Sequence, residues 1–336
     1  MDCGPGAGCC CCCAGEGGRR MTDKTPHQKA FEAYVRSGDD AALRGLQLEG
    51  KAVSTAVASD DGYLVDPVTS ETIRAVLNST ASLRQIARVV NVDATAYDVL
   101  IDRTAETGTP TIERVTIPLH EVSAVVDVPM RLLDDSAVGI ENLLAGGRTA
   151  DKFACAEEAA FVNGDGVDKP TGFLTHTTAA NGTDVWGEIG HVVTGGDGDF
   201  AATDPGDAII NLVYSLGAQY RANGSFVMNS KTAGSVRKLK DADGRFLWSD
   251  GLSSVEPARL MGYPVLIAEA MPDIAADALA IAFGDFASGY TIAEGPDLRI
   301  LRDPVTAKPL VLFYATKRVG GDVSDFNAIK VLKFAV

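Results

Sequence analysis

The chain has 336 residues, 46% of them apolar and 22% charged, with 45 acidic residues against 30 Lys and Arg for a net charge of −15. That composition suits about two cored domains and does not suit a disordered polymer. The acid excess argues against a protein that grips phosphates, which needs a dense basic face, and against attachment to anionic membranes. No apolar run approaches the ~18 residues of a membrane span; the longest are Ala278–Phe283 and Leu310–Ala315.

In chain order, Cys3 and the run Cys9–Cys13 supply six of the seven cysteines. Metal sites space their ligands so that backbone wraps the ion, which an unbroken run does not. The Gly/Cys/Ala/Pro-rich stretch ending at Arg20, before Met21, therefore reads as translated GC-rich upstream sequence, a non-native tail. Past it only Cys155 remains, which fits a reducing compartment. Thr25-Pro26-His27-Gln28 predicts a capped helix start. Phe31, Tyr34 and Val35 form its apolar stripe, and Ser37-Gly38-Asp39-Asp40 ends it. A second amphipathic piece carries Leu43, Leu46 and Leu48. Residues 50–62 are small and polar, an exposed and cleavable linker.

Beyond Gly62-Tyr63-Leu64-Val65-Asp66-Pro67, a short helix bears Ile73, Val76 and Leu77. Tyr97–Ile101 and Val115–Leu119 read as strands joined by the polar Gly/Thr/Pro stretch Arg103–Thr111, and Glu121–Met130 is a further β-branched strand. Asp134-Asp135-Ser136 starts a long Ala-rich helix running to about Val162, which Asn163-Gly164-Asp165-Gly166 ends. Residues 176–206 read as loop. One helix is expected from Asp204-Pro205 through Ile209, Leu212, Val213, Leu216 and Tyr220. Then follow strand Phe226–Met228, helix Thr232–Lys240, and strands Val265–Ala268, Leu279–Phe283, Leu298–Leu301, Leu310–Ala315 and Ala328–Phe334. The class is α+β.

Chemistry finds no foothold in these patterns. His120-Glu121 begins like a zinc-protease helix, but Ala124 stands where the second His is needed. Ser230-Lys231-Thr232 lacks the Gly that lets a phosphate loop approach its ligand. Asp241-Ala242-Asp243-Gly244 carries its Gly too early for a calcium loop, and Leu252 replaces the closing Glu. Ser235-Val236-Arg237-Lys238 has the serine–lysine nucleophile spacing without the elements that accompany it, which leaves a serine hydrolase using Ser235 and Lys238 as a remote alternative. No catalytic, cofactor-binding or metal-binding residue is expected.

Five stretches in order resemble the major capsid proteins of tailed phages, the Hong Kong 97 fold, over residues 62–336. They are Gly62-Tyr63-Leu64-Val65-Asp66-Pro67; the helix end Asn163-Gly164-Asp165-Gly166 with Lys169-Pro170-Thr171-Gly172-Phe173-Leu174; Phe226-Val227-Met228-Asn229-Ser230 with Leu239-Lys240-Asp241 and Gly244-Arg245-Phe246-Leu247-Trp248; Leu260-Met261-Gly262-Tyr263-Pro264-Val265; and Gly284-Asp285-Phe286 before Tyr290. The sequence is most similar to capsid subunits of alphaproteobacterial gene transfer agents, phage-derived particles that package host DNA.

The resemblance implies a shell subunit and not an enzyme. Copies form hexamers and pentamers and close an icosahedral-type head around DNA held without sequence-specific contacts. A portal and a prohead protease would be its partners, with assembly in the bacterial cytoplasm and no membrane. It also implies an N-terminal arm at 62–94, an extended loop at 95–119, a peripheral domain at 120–204 and 306–336 whose spine is the long helix, and an inserted axial domain at 205–305. Residues 21–61 become a short helical pro-region with its cleavable linker, cut within 49–61. No Lys lies between Lys51 and Lys152, so the extended-loop Lys–Asn crosslink of some members is excluded. The loop turn is short and lacks the Trp often found there. An encapsulin-like compartment shell shares the fold and is the structural alternative; the residues before Gly62 argue against it.

Overall fold

The computed structural model describes residues 26–39, 41–42, 63–64, 83–102, 112–131, 149–201, 204–239 and 259–336. Helix α1 spans Pro26–Ser37 and ends at Gly38, whose φ of +80° only glycine adopts readily, with the Gly38 amide donating to Tyr34 O at 2.8 Å. Strand β1 is Tyr63–Leu64; a 3₁₀ turn at Leu83–Gln85 leads to β2, Arg88–Asn91. The expected pair is present as β3, Ala96–Asp102, and β4, Ile112–Pro118, antiparallel from Ala96↔Pro118 to Asp102↔Ile112. Strand β5 follows at His120–Pro129. Helix α2, Thr149–Asn163, is the C-terminal part of the expected long helix; residues 134–148, the second amphipathic piece and the short helix at 73–77 lie outside the described residues.

The stretch 176–206, expected as loop, holds two strands, β6 (Thr178–Ala180) and β7 (Ile189–Val193), parallel to each other. Their Gly and Thr content hides them, because their hydrogen bonds depend on a neighbour far along the chain. The helix expected through Tyr220 is two: α3, Asp207–Ser215, and α4, Ala218–Arg221. Leu216 turns extended at ψ 137° before Gly217, so Tyr220 belongs to a separate turn. Strand β8 (Ser225–Met228) precedes α5 (Ser230–Arg237), and β9 (Arg259–Leu260), β10 (Tyr263–Ile267) and β11 (Leu279–Gly284) follow. The turn α6 (Phe286–Gly289) leads to β12 (Tyr290–Asp303), β13 (Leu310–Val323) and β14 (Ile329–Lys333). β12 and β13 are far longer than expected. In β12 the Gly295-Pro296 break reads as a strand end, but it lies within a register shift between Glu294 and Leu298 and pairing resumes beyond it.

Two sheets carry these elements. The first runs β1-β12-β13-β5, with β2 pairing β12 beside β1; the second runs β6-β7-β14-β11-β8-β10-β9. β12 and β14 join sheets across the expected division at 205–305: β12 pairs with β13, and β14 lies between β7 and β11. Alternation along the strands sends side chains to two cores. Phe226 and Met228 of β8 pack with Leu212 and Val213 of α3, while Val227 faces the core that holds Phe161, Phe173 and Tyr290. On the first sheet, α1 and α2 share a core with β12, β13 and β5.

Candidate functional site

Among the described residues, three of the stretches that carry the resemblance turn out to be joints. Gly164 ends α2 with its amide on Ala160 O at 2.8 Å; a Cβ there would lie 1.9 Å from Pro170 O, so the loop closes onto the helix only over a glycine. Gly172 N donates to Gly164 O at 2.9 Å and Thr171 N to Gly321 O at 2.9 Å, fastening this loop to β13. Tyr290, fully buried, donates its hydroxyl to Thr171 O at 2.7 Å. Burial, helped by the Asp322 charge, holds its pKa well above the usual phenol range. Asn229 caps α5: its Oδ1 accepts from Thr232 N at 2.7 Å. Its Nδ2 lies within bonding distance of Met271 O, Pro272 O and Asp273 Oδ1. Asp285 caps α6 by accepting from the amides of Ala287 and Ser288, and a Cβ on Gly284 would lie 2.3 Å from Ala328 O.

A dry ionic cluster joins the foot of the 62–94 region to α2 and the first sheet. Arg84, on the 3₁₀ turn, reaches Glu157 of α2 through Nε at 2.7 Å and Glu294 of β12 through Nη1 at 2.8 Å. Lys317 of β13 pairs with Glu157 and, at 3.4 Å, with Glu294, closing a neutral ring of two cations and two carboxylates. All four side chains are at most 5% exposed. Burial alone would lower the Arg84 pKa, but the charges of Glu157 and Glu294 outweigh it and raise it above the usual guanidinium value. Sequence reading did not single out these four residues, and their separations along the chain leave no local signal.

β3 and β4 form a two-stranded ribbon of their own. Such a ribbon is marginally stable without further support. Its root packs on β13, where a Cβ on Gly320 would lie 2.3 Å from Pro118 O. Arg114 Nη2 meets Asp98 Oδ2 at 2.6 Å and Thr116 Oγ1 donates to Asp98 Oδ1 at 2.7 Å, while Leu100 is 69% exposed. Beyond that root the ribbon presents the Leu100 side chain to water.

The remaining motifs sit on regular strand and helix positions. His120 and Glu121 are neighbours on β5, so they point to opposite faces and not along one helix. Ser230-Lys231-Thr232 is the first turn of α5, with Lys231 paired to Asp273 at 2.6 Å. Ser235 Oγ donates to Lys231 O at 3.2 Å, and Lys238 caps the exposed end of the same helix. The 241–252 stretch lies outside the described residues. Among the described residues no group of three or more His, Cys, Asp or Glu could hold a metal ion, and no helix is long and apolar enough to cross a membrane.

With this geometry in hand, comparisons place the chain. Two solved particle shells match closely: the capsid of a native gene transfer agent particle at 68% identity and TM-score 0.69, and that of an empty one at 60% and 0.68. Each match covers 85% of this chain and all of the particle subunit. The holo-SrpI encapsulin of Synechococcus elongatus matches at 16% identity and TM-score 0.54, over 87% of this chain and 94% of that one, a likeness of fold alone. No curated protein sequence matches. The sequence model described as the phage capsid family spans residues 61–334, and the chain belongs to that family.

Proposed function

We propose that this chain is the major capsid protein of a gene transfer agent or phage-type particle, its copies forming hexamers and pentamers that close a shell around DNA. The carrying observation is the 60–68% identity to gene transfer agent capsids over their whole length. On this reading the β3–β4 ribbon is the extended loop, resting on a neighbouring copy through Leu100, and the Arg84 turn anchors the N-terminal arm. The inserted region at 205–305 supplies the axial domain, with 120–204 and 306–336 peripheral, except that β12 pairs into the peripheral sheet and β6, β7 and β14 extend the axial one. Shell stability then comes from many subunit contacts, so the protein needs no catalytic group or cofactor. A portal and a prohead protease serve it in the bacterial cytoplasm, and the linker is cut within 49–61.

The test is to produce the full chain in cells that also make the portal and the prohead protease, treat the lysate with nuclease, and isolate particles. Shells containing protected DNA, with the subunit mass trimmed to a start within 49–61, support the proposal. Shells packed with one cargo enzyme and no DNA would favour an encapsulin-like compartment. An intact N-terminus in DNA-filled particles would sink the processing step alone.

A further inference from the structure

The sequence contains three Asn-Gly pairs, all among the described residues, and the fold treats them differently. In each pair the glycine amide, which no Cβ shields, stands one ring closure away from the asparagine carboxamide. Two pairs are locked. Gly164 N is spent on Ala160 O at 2.8 Å, and Asn163 Nδ2 donates to Ala270 O at 2.8 Å. Gly224 N donates to Arg221 O at 3.2 Å, and the glycine is packed so closely that a Cβ would lie 2.6 Å from Phe283 Cζ. Asn181-Gly182 is open. Both residues are exposed at the centre of the β-turn Ala180–Thr183, which Thr183 N closes on Ala180 O at 3.0 Å, with Gly182 at φ +89°. A Cβ on Gly182 would meet nothing within 4 Å.

The turn also carries a base. Gly182 N donates to a side chain and not to a main-chain carbonyl: Asp184 Oδ1 accepts it at 2.9 Å, within the reach that general-base catalysis needs. The sheet holds that carboxylate in place. Asp184 Oδ2 accepts from Lys330 Nζ of β14 at 2.5 Å, and the two side chains are 13% and 6% exposed. We infer that Asn181 is a self-modification site. The Gly182 nitrogen attacks Asn181 Cγ while Asp184 takes its proton. The new N–Cγ bond closes a five-membered imide, the Cγ–Nδ2 bond breaks, and ammonia leaves with that proton. Water, the one co-reactant, then opens the imide, at Cγ to aspartate or at the main-chain carbonyl to isoaspartate. Either product adds a negative charge to a turn whose carboxylate already takes up Lys330. Isoaspartate also puts one more carbon into the main chain beside Asn181 N, which donates to His191 O at 3.0 Å and continues the β6–β7 pairing. The β6–β7 edge of the second sheet thus loosens as the molecule ages. The reaction needs no neighbouring copy, so it stands apart from the capsid reading.

The experiment ages the purified full chain in neutral buffer and follows the three pairs by peptide mass spectrometry, each conversion reading as a gain of about 1 Da. An isoaspartyl methyltransferase gives a second readout, since it labels the isoaspartate product. The expected result is conversion at Asn181 at least ~10-fold faster than at Asn163 and Asn223, whose glycine amides local opening must first release. In urea, where all three pairs are unfolded, the rates should draw level. Asn181→Gln, whose longer side chain disfavours ring closure, should remove the label from the folded chain. Asp184→Asn should slow conversion several-fold. Lys330→Met keeps the carboxylate while loosening the same turn, and it should not slow conversion. Equal rates at the three pairs in the folded chain, or label that survives Asn181→Gln, would overturn the site. Acceleration by Asp184→Asn would overturn the role of its carboxylate.

Discussion

Arg84 and Glu157 lie 73 residues apart in sequence, yet their side chains meet at 2.7 Å with neither more than 1% exposed. The pair fixes the turn that follows the N-terminal region against α2, and Glu294 and Lys317 complete its neutral ring. Buried rings of this kind add modest net stability, but losing one member leaves an uncompensated charge in a dry site.

Arg84→Met is therefore expected to cost about 3–5 kcal/mol of stability, read by denaturant unfolding. Pairing it with Glu294→Gln restores neutrality and should recover part of that loss. A single variant as stable as the parent would show that the ring is not closed in solution.

Two glycines give opposite expectations. At Gly164 a Cβ would lie 1.9 Å from Pro170 O, backbone that has nowhere to go, so Gly164→Ala should destabilise by about 3 kcal/mol. At Gly234, inside α5, nothing lies within 4 Å, and Gly234→Ala should stabilise by about 0.5–1 kcal/mol through helix propensity. Melting temperatures of the two variants check both signs at once.

Acid stability should carry a trace of Asp184. Burial alone would raise its pKa, but hydrogen bonds from Lys330 Nζ at 2.5 Å and Gly182 N at 2.9 Å hold it below the ordinary Asp value of 3.8. A depressed folded pKa means that its contribution is present above 3.8 and is lost as the pH falls through the folded value. Asp184→Asn should be less stable than the parent at pH 7, and the gap should close as the pH drops below 3.8. A gap that is constant down to strong acid would contradict the pairing.

The ribbon separates folding from assembly. Leu100 is exposed in the single chain, so Leu100→Lys should leave the melting temperature within about ±0.5 kcal/mol equivalent while reducing shell yield several-fold. Equal loss of both would place Leu100 in the subunit's own core.

Local pattern made the β3–β4 ribbon legible, because two short runs rich in β-branched and aromatic residues flank the polar stretch Arg103–Thr111. It also made the end of α1 legible at Gly38. It failed where tertiary partners decide. β6 and β7 are only three and five residues long, set among Gly, Thr and Asp, and form at the edge of a sheet whose next strand, β14, comes about 140 residues later. The helix through Tyr220 satisfied the spacing but not the backbone, which turns at Leu216. The five resemblance stretches pointed to a family correctly, while the physical roles of three of them, as glycine closures and caps, emerged only with the contacts of Gly164, Asn229 and Asp285. Neither the Arg84 ring nor the seating of α1 on Arg302 has a local signature, since each joins segments separated by more than 70 residues.

The central claim is that this acidic chain closes into shells. Its most direct test is sedimentation velocity with negative-stain microscopy on the full-length protein across protein concentration and salt. The account predicts capsomere-sized species that convert into closed particles of uniform diameter. A single species at the mass of one 35.1 kDa subunit under every condition, cut or uncut in the linker, would contradict it.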